Sequence, residues 1–237
     1  MRKIAEIALI YVPSIFLFFS VSWVLAYKWL PVRWTPLMLI RTIENHNNDE
    51  YTNRQIWASL NEIDPILIES ILCAEDQRFY SHSGFDWQEL KKMKSDYDHF
   101  GKKLRGCSTI SQQVAKNCFT FGSRTLFRKI IEAYYTALIE LIWGKTRILE
   151  VYMNIAETGV GIFGVEAACQ KYFCTSCDAV DFDDAVAEGG FGKFYDDDKY
   201  EDGIAEDKLS ELQVGYVSYT RDVDGNLTFN YDGNAYW

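Results

Sequence analysis

Residues 74–87 read AEDQRFYSHSGFDW. Glu75 and Asp76 follow directly on the apolar run ILIESILCA, where a plain helix would close on glycine or a basic residue. Two adjacent acids at that point, with Arg78 and His82 just behind them, ask for a role beyond ending a helix. Upstream, Asp64-Pro65 reads as an N-cap with proline at the first helical position, and Ile66, Ile68, Ile71 and Leu72 recur at helical spacing. The same period predicts helices over residues 108–116, 125–143, 146–156 and 163–173, with Gly144 separating the second from the third. Residues 76–106 read as irregular, broken by Gly84, Gly101 and Gly106. The fold class is mainly α.

At 237 residues the chain can bury one good core. A hydrophobic share of 48% makes it globular rather than disordered. Its net charge of −10 is unevenly spread: residues 175–237 carry 16 acids and 4 bases, while the rest nets +2 and can still face an anion. No basic stripe dominates, which argues against a nucleic-acid partner. Residues 7–27 hold no charge and match the roughly 20 apolar residues that span a bilayer. Ser20 and Ser22 give only a weak small-x-small cleavage site, so an uncleaved anchor is preferred to a signal peptide. Arg2 and Lys3 before it nearly balance Lys28 and Arg33 after it, leaving the positive-inside rule silent. The stretch around Trp34, Leu37 and Leu39 suits the membrane interface. The resulting division is an anchor over 1–33, a helical domain over 34–177 and an acidic region over 178–237. In that last region, residues 212–231 alternate around Asp224-Gly225 as in a β-hairpin, a better reading of Asp222, Asp224 and Asn226 than a calcium loop. Of the six cysteines, Cys174 and Cys177 form a CxxC, but no second such pair completes a zinc ribbon. Buried or unpaired thiols are the preferred reading.

Three further segments carry polar groups that a plain helical core does not need. GCSTISQQVAKN, residues 106–117, crowds Ser108, Thr109, Ser111, Gln112 and Gln113 at a helix start, followed by Lys116 and Asn117. Ser108 or Thr109 can cap that helix, and such an N-terminus also suits a phosphate. FRKIIE, residues 127–132, opens a series in which Arg128, Glu132, Thr136 and Glu140 share one helix face. Taken alone, that face reads as a solvated stripe. KTRILEVYMN, residues 145–154, is taken alone an ordinary amphipathic segment.

Together with AEDQRFYSHSG, these motifs occur in the order and at the spacing of the peptidoglycan glycosyltransferases of family 51. Over residues 55–173 the chain resembles that family, and its single anchor resembles the monofunctional biosynthetic type. The resemblance implies a mainly α, lysozyme-like glycosyltransferase domain that joins lipid II units into β-1,4-linked glycan strands. Inverting transfer would release undecaprenyl pyrophosphate at the outer face of the bacterial cytoplasmic membrane. It implies Glu75 as the general base and Glu132 as a second essential acid that places the pyrophosphate or a divalent cation. It implies that Ser108, Gln112, Lys116, Asn117, Arg124, Arg128 and Lys129 face the substrate's phosphates and sugars. Phe79 and His82 match fixed positions as loop support, and Glu140, Lys145 and Glu150 look architectural. Magnesium or manganese is the implied cofactor, with Glu132 its only candidate ligand and no organic cofactor. The implied partners are lipid II, the growing strand, membrane lipid and other cell-wall synthesis proteins. The chain departs from the pattern at Cys107, where glycine is usual, and beyond Phe173, where residues 183–187 are at most a remnant of an expected apolar helix. Two other readings compete: a membrane-bound glycan hydrolase using the two acids, and a non-catalytic scaffold that kept the fold.

Overall fold

The computed structural model describes residues 2–48, 51–100, 108–121, 125–180, 217–221 and 227–231. Cys107, Arg124, residues 183–187 and residues 222–226 lie outside them. The chain forms two units, Met1–Phe194 and Tyr195–Trp237.

The first unit begins with α1, Arg2–Trp29, whose segment Tyr11–Trp29 is long and apolar enough to cross a membrane. Side chains 11–19 are exposed, whereas Ser20 and Val24 are buried against the helices that follow. Thr35 caps α2, Pro36–Glu44, by accepting the Met38 N–H at 3.2 Å, and Pro36 opens it. Thr35-Pro36 is the same start signal as Asp64-Pro65, in the stretch that composition alone assigned to the membrane interface. That second pair starts α3, Pro65–Glu75, where the Asp64 carboxylate accepts the Ile66 N–H at 2.8 Å. Leu67, Ser70 and Ile71 turn α3 into the core.

The expectation of irregular chain from 76 to 106 is corrected by α4, Trp87–Phe100. Asp86 caps it, its Oδ1 accepting the Gln88 and Glu89 N–H groups at 3.0 Å each. The Asp-x-x-Glu start at 86–89 was legible as a helix signal. What hid the helix is that Trp87, Leu90 and Tyr97 bury little, so no apolar face stands out. Next come α5, Ile110–Phe119, α6, Leu126–Ile142, and α7, Lys145–Ile155. α5 packs against both α6 and α7, and eight of its ten residues are buried. Gly144, at φ 77°, is the joint between α6 and α7. The helix expected over 163–173 is instead the short α8, Val165–Ala168, continued by a π-helical turn over Cys169–Phe173.

A small sheet closes the core beside α7. β1, Arg54–Gln55, pairs parallel with β3, Ile162–Phe163, and β3 pairs antiparallel with β2, Glu157–Gly159. Asn154 ties α7 to this edge: its amide exchanges hydrogen bonds of 2.8 and 2.7 Å with the Ala58 N–H and C=O. Gly164 lets the chain pass close beneath it, at φ 82° and with the Asn154 backbone 2.8 Å from where a Cβ would sit. In the second unit, β4, Val217–Arg221, pairs antiparallel with β5, Leu227–Tyr231, in a register running from Val217↔Tyr231 to Arg221↔Leu227. Cys73, Cys118, Cys174 and Cys177 are free thiols.

Gly164→Ala combines a left-handed backbone with a backbone clash that cannot relax by side-chain rotation. It is expected to cost about 1–3 kcal/mol or more, seen as a lower thermal unfolding midpoint. An unchanged midpoint would refute the close packing at Asn154.

Candidate active site

Glu75 is the last residue of α3, and Asp76 is its C-cap, donating its N–H to the Leu72 carbonyl at 2.9 Å. The two acids then part company. Asp76 is buried, with its Oδ2 accepting the Ile110 N–H at 3.0 Å and His82 Nε2 lying 3.0 and 3.1 Å from its two oxygens. It fastens the end of α3 to the first turn of α5 and holds the intervening loop. Thr109, rather than Ser108, caps α5: its hydroxyl accepts the Gln112 N–H at 3.2 Å and donates to the Gly84 carbonyl at 2.7 Å. Gln112 Oε1 accepts the Thr109 N–H at 3.1 Å, completing a capping box.

Glu75 faces the side of α5 that this arrangement presents. Its Oε2 accepts a hydrogen bond from Gln113 Nε2 at 2.6 Å. The Tyr152 phenol lies beside it; burial pushes that phenol well above its usual range, and the Glu75 carboxylate, as charge and as acceptor, pushes it further. Tyr152 therefore stays a neutral donor. Behind Glu75, Ile71, Tyr152, Met153 and Val165 line a small, largely apolar pocket.

Three residues beyond Gln113 on α5, Lys116 feels the charge of both acids. Burial pulls its ammonium below the usual lysine range; Glu132 opposes that shift, Arg128 and Lys129 add to it, and Glu75 opposes it. Lys116 is thus in electrostatic contact with Glu75 from α3 and with Glu132 from α6. Glu132 is 2% exposed and takes Lys129 Nζ on its Oε1 at 2.5 Å. The solvated reading of this α6 face is corrected: Glu132 and Thr136 are buried, and Glu140 binds inward, accepting Ser111 Oγ at 2.5 Å and Lys145 Nζ at 2.7 Å. Lys145 also sits 4.3 Å over the Phe79 ring, and Glu140 is held at the centre of the loop, α5 and α7 starts.

The residues singled out from sequence fall into groups. Glu75, Lys116, Arg128, Lys129 and Glu132 gather around α5 and the start of α6. Asn117 and Arg128 add unspent capacity: buried Asn117 Oδ1 and Arg128 Nε have no hydrogen-bond partner among the described residues. Ser108 is exposed where the chain enters α5. Gln112 spends its carbonyl oxygen on the cap. Arg124 lies outside the described residues. Glu150 pairs with Arg147 rather than with this group. Sequence reasoning missed Gln113 and Tyr152 as neighbours of Glu75. Gln113 was within reach, because it shares a helix face with Lys116 and Asn117 at i+3 and i+4. Tyr152 carried no signal, being one of a run of buried α7 residues.

Acids and cations so placed suit the transfer of a group from an anionic leaving group. The family comparison agrees. The family model described as Transglycosylase matches residues 41–187, more than half of the chain, and the chain belongs to that family. A biosynthetic peptidoglycan transglycosylase of Bdellovibrio bacteriovorus is 46% identical over 166 residues, covering 68% of this chain and 66% of the relative. One of Shewanella oneidensis is 53% identical over 120 residues, 51% of each chain. One of Bacteroides thetaiotaomicron is 41% identical over 170 residues, 70% of this chain and 68% of the relative. The chain thus spans from about half to about two-thirds of the length of these relatives.

The depressed Lys116 has a pH signature. The ammonium is lost as pH rises through its lowered pKa, so activity that needs it declines before an ordinary lysine would titrate. Over the same interval the unfolded chain binds more protons, and stability rises with pH from this group. In the Lys116→Arg variant, which stays charged, the alkaline decline should move upward in a pH–rate profile. An unmoved decline would remove Lys116 from the site.

Proposed function

We propose that this chain polymerises lipid II into β-1,4-linked glycan strands by inverting transfer, releasing undecaprenyl pyrophosphate. The observation that carries the reading is the charge set around α5: Lys116 feels both Glu75 and Glu132 as well as Arg128 and Lys129, and Glu132 is buried with Lys129 on its carboxylate. Glu75 takes the proton from the acceptor's 4-hydroxyl as that oxygen attacks the donor's anomeric carbon. Gln113 and Tyr152 fix the direction of the carboxylate. The bond from the anomeric carbon to the diphosphate breaks, and the departing charge is met by Lys116, Arg128 and Lys129. Asn117 Oδ1 is an acceptor free to take a sugar hydroxyl or amide. Ser108, Gln112 and Arg124 complete the proposed substrate contacts.

Among the described residues no group of three or more His, Cys, Asp or Glu side chains could cage a metal. Glu132 is already paired with Lys129. Magnesium or manganese is therefore assigned no step, and Glu132 stays its single candidate protein ligand beside diphosphate oxygens. A lysozyme-like core, α1 spanning the bacterial inner membrane with the domain on its outer face, and contacts with other cell-wall synthesis proteins belong to the same proposal. Cationic groups opposite the base favour synthesis over glycan hydrolysis, since a hydrolase has no diphosphate to hold.

Glu75→Gln is expected to lower polymerisation of lipid II by ~10²–10⁴-fold, with lipid II binding and circular dichroism retained. Full activity would refute the base. Glu132→Gln should also fail, with Lys129 left without its partner. A defect confined to protein yield would make Glu132 structural.

A further inference from the structure

The candidate site leaves the thiols of Cys174 and Cys177 unused. Cysteine is normally among the most buried residues and packs as a small apolar side chain. Cys174 does neither. It is exposed, and at φ 55° it is the one residue other than glycine in the left-handed region among the described residues. Packing does not call for a cysteine there, and backbone preference calls for glycine or asparagine. Three residues on, Cys177 is 1% exposed. Its thiol donates to the Glu62 carbonyl at 3.4 Å, and its N–H donates to Glu166 Oε2 at 2.8 Å. The Glu166 carboxylate is also a hydrogen-bonding neighbour of that thiol. Burial first, and Glu166 second, push the Cys177 thiol well above the usual cysteine range. Burial works against the charged form of Glu166 as well, but bonds from Cys177, Gln170 and Ser176 outweigh it and hold that carboxyl below the usual glutamate range. An ionised acceptor therefore stands beside a buried, protonated thiol. Between the two cysteines the side chains are loosely tied: the Thr175 hydroxyl reaches the Ala179 carbonyl at 3.4 Å, and Ser176 Oγ reaches Glu166 at 3.3 Å.

We infer that Cys174 and Cys177 are a redox-active dithiol, with Cys174 the attacking sulfur, Cys177 the resolving one and Glu166 the acceptor of the Cys177 proton. The co-reactant is a small-molecule or protein disulfide, RSSR. Cys174 gives its proton to solvent and attacks one sulfur of RSSR; the S–S bond breaks, and the first RS⁻ leaves and is protonated. Cys177 then gives its proton to Glu166 and attacks Cys174 Sγ; the second RS⁻ leaves and takes up that proton. The two cysteines lose two electrons and two protons, RSSR gains them as two RSH, and a disulfide closes across Thr175 and Ser176. Exposure puts Cys174 where RSSR can reach it, and burial keeps Cys177 from reacting until the mixed disulfide forms. The chemistry needs no glycosyl transfer. Disulfide oxidants are at hand on the outer side of the membrane, where the proposed function puts the domain. The Cys177 carbonyl accepts the Asp64 N–H at 2.8 Å, so the dithiol lies at the capped start of α3, the helix that ends on Glu75.

The test takes the full chain, reduces it, and moves it into buffers of rising oxidised-to-reduced glutathione ratio. Samples are quenched with iodoacetamide in denaturant and read by peptide mass spectrometry. The peptide carrying both cysteines should lose two hydrogens and refuse the label, while Cys118, fully buried in the core, still takes it. In Cys177→Ser, glutathione should stay on Cys174. In Cys174→Ser, Cys177 should remain a thiol. In Glu166→Gln, which keeps an oxygen for the Cys177 N–H, glutathione should reach Cys174 at the parent rate and leave it about tenfold or more slowly, for want of the proton acceptor. Glutathione persisting on Cys174 of the parent chain, a Cys174 disulfide to a second chain, or a pair that stays reduced in oxidised glutathione alone would overturn the proposal. An unchanged second step in Glu166→Gln would overturn the part given to Glu166. The parent-chain result depends on no variant folding. Labelling needs no turnover, so this inference and the glycosyltransferase reading fail separately.

Discussion

The carboxylate of Asp76 accepts the N–H of Ile110 at the first turn of α5, and the candidate site depends on that bond. A buried carboxylate is expensive unless its lone pairs are used, and here the α5 N–H and His82 use them. Hydrogen bonds to charged groups contribute about 1.5–3 kcal/mol, and the helix N-terminus adds a favourable field. With α3 ending where α5 begins, Glu75 falls opposite Gln113, one turn along α5, and Lys116 follows a turn later. Losing Asp76 would leave an α5 N–H and His82 without a partner and free the residue that aims Glu75.

α6 completes the site from the other side. Its inward acids do different work: Glu132 meets Lys129 and the field of Lys116, whereas Glu140 holds Ser111 and Lys145. Glu140 thereby joins α5 to the start of α7, and the Lys145 ammonium lies on the Phe79 ring of the loop that follows Glu75. Placing so many charges at low exposure is a poor route to stability alone. It is a sound way to hold cations near where negative charge will develop. α1, whose apolar segment is long enough to cross a membrane, belongs to the same framework. Phe119, at the end of α5, stacks on Tyr135 at 4.5 Å and meets Trp23 of α1 edge-on at 5.5 Å. Arg147 bonds the Tyr27 and Leu30 carbonyls at 2.8 and 2.5 Å. α1 is therefore packed against the helices that carry the site.

Much of this was legible before any coordinates. Asp64-Pro65 fixed where α3 starts, and the acids at 75 and 76 fixed where it stops. The four-residue spacing from Arg128 to Glu140 put these groups on one face of α6, although spacing could not say that the face is buried. That depends on α5, which meets α6 through tertiary packing and leaves no period in the α6 sequence. α4 was overlooked because its cap is clear and its buried face is not, and periodicity was given more weight than capping. Gln113 and Tyr152 were missed for another reason. Their role exists only where α3, α5 and α7 meet, and no local pattern in any one of them encodes that meeting.

The convergence on Lys116 can be measured directly. With the lysine side chains isotopically labelled, NMR titration reads the Lys116 ammonium in the parent chain and in Glu75→Gln and Glu132→Gln variants. Both acids support the charged form, so each substitution should lower the Lys116 titration point further below that of the parent. If neither substitution moves it, the two acids do not share the ground around Lys116, and the account of the site is wrong.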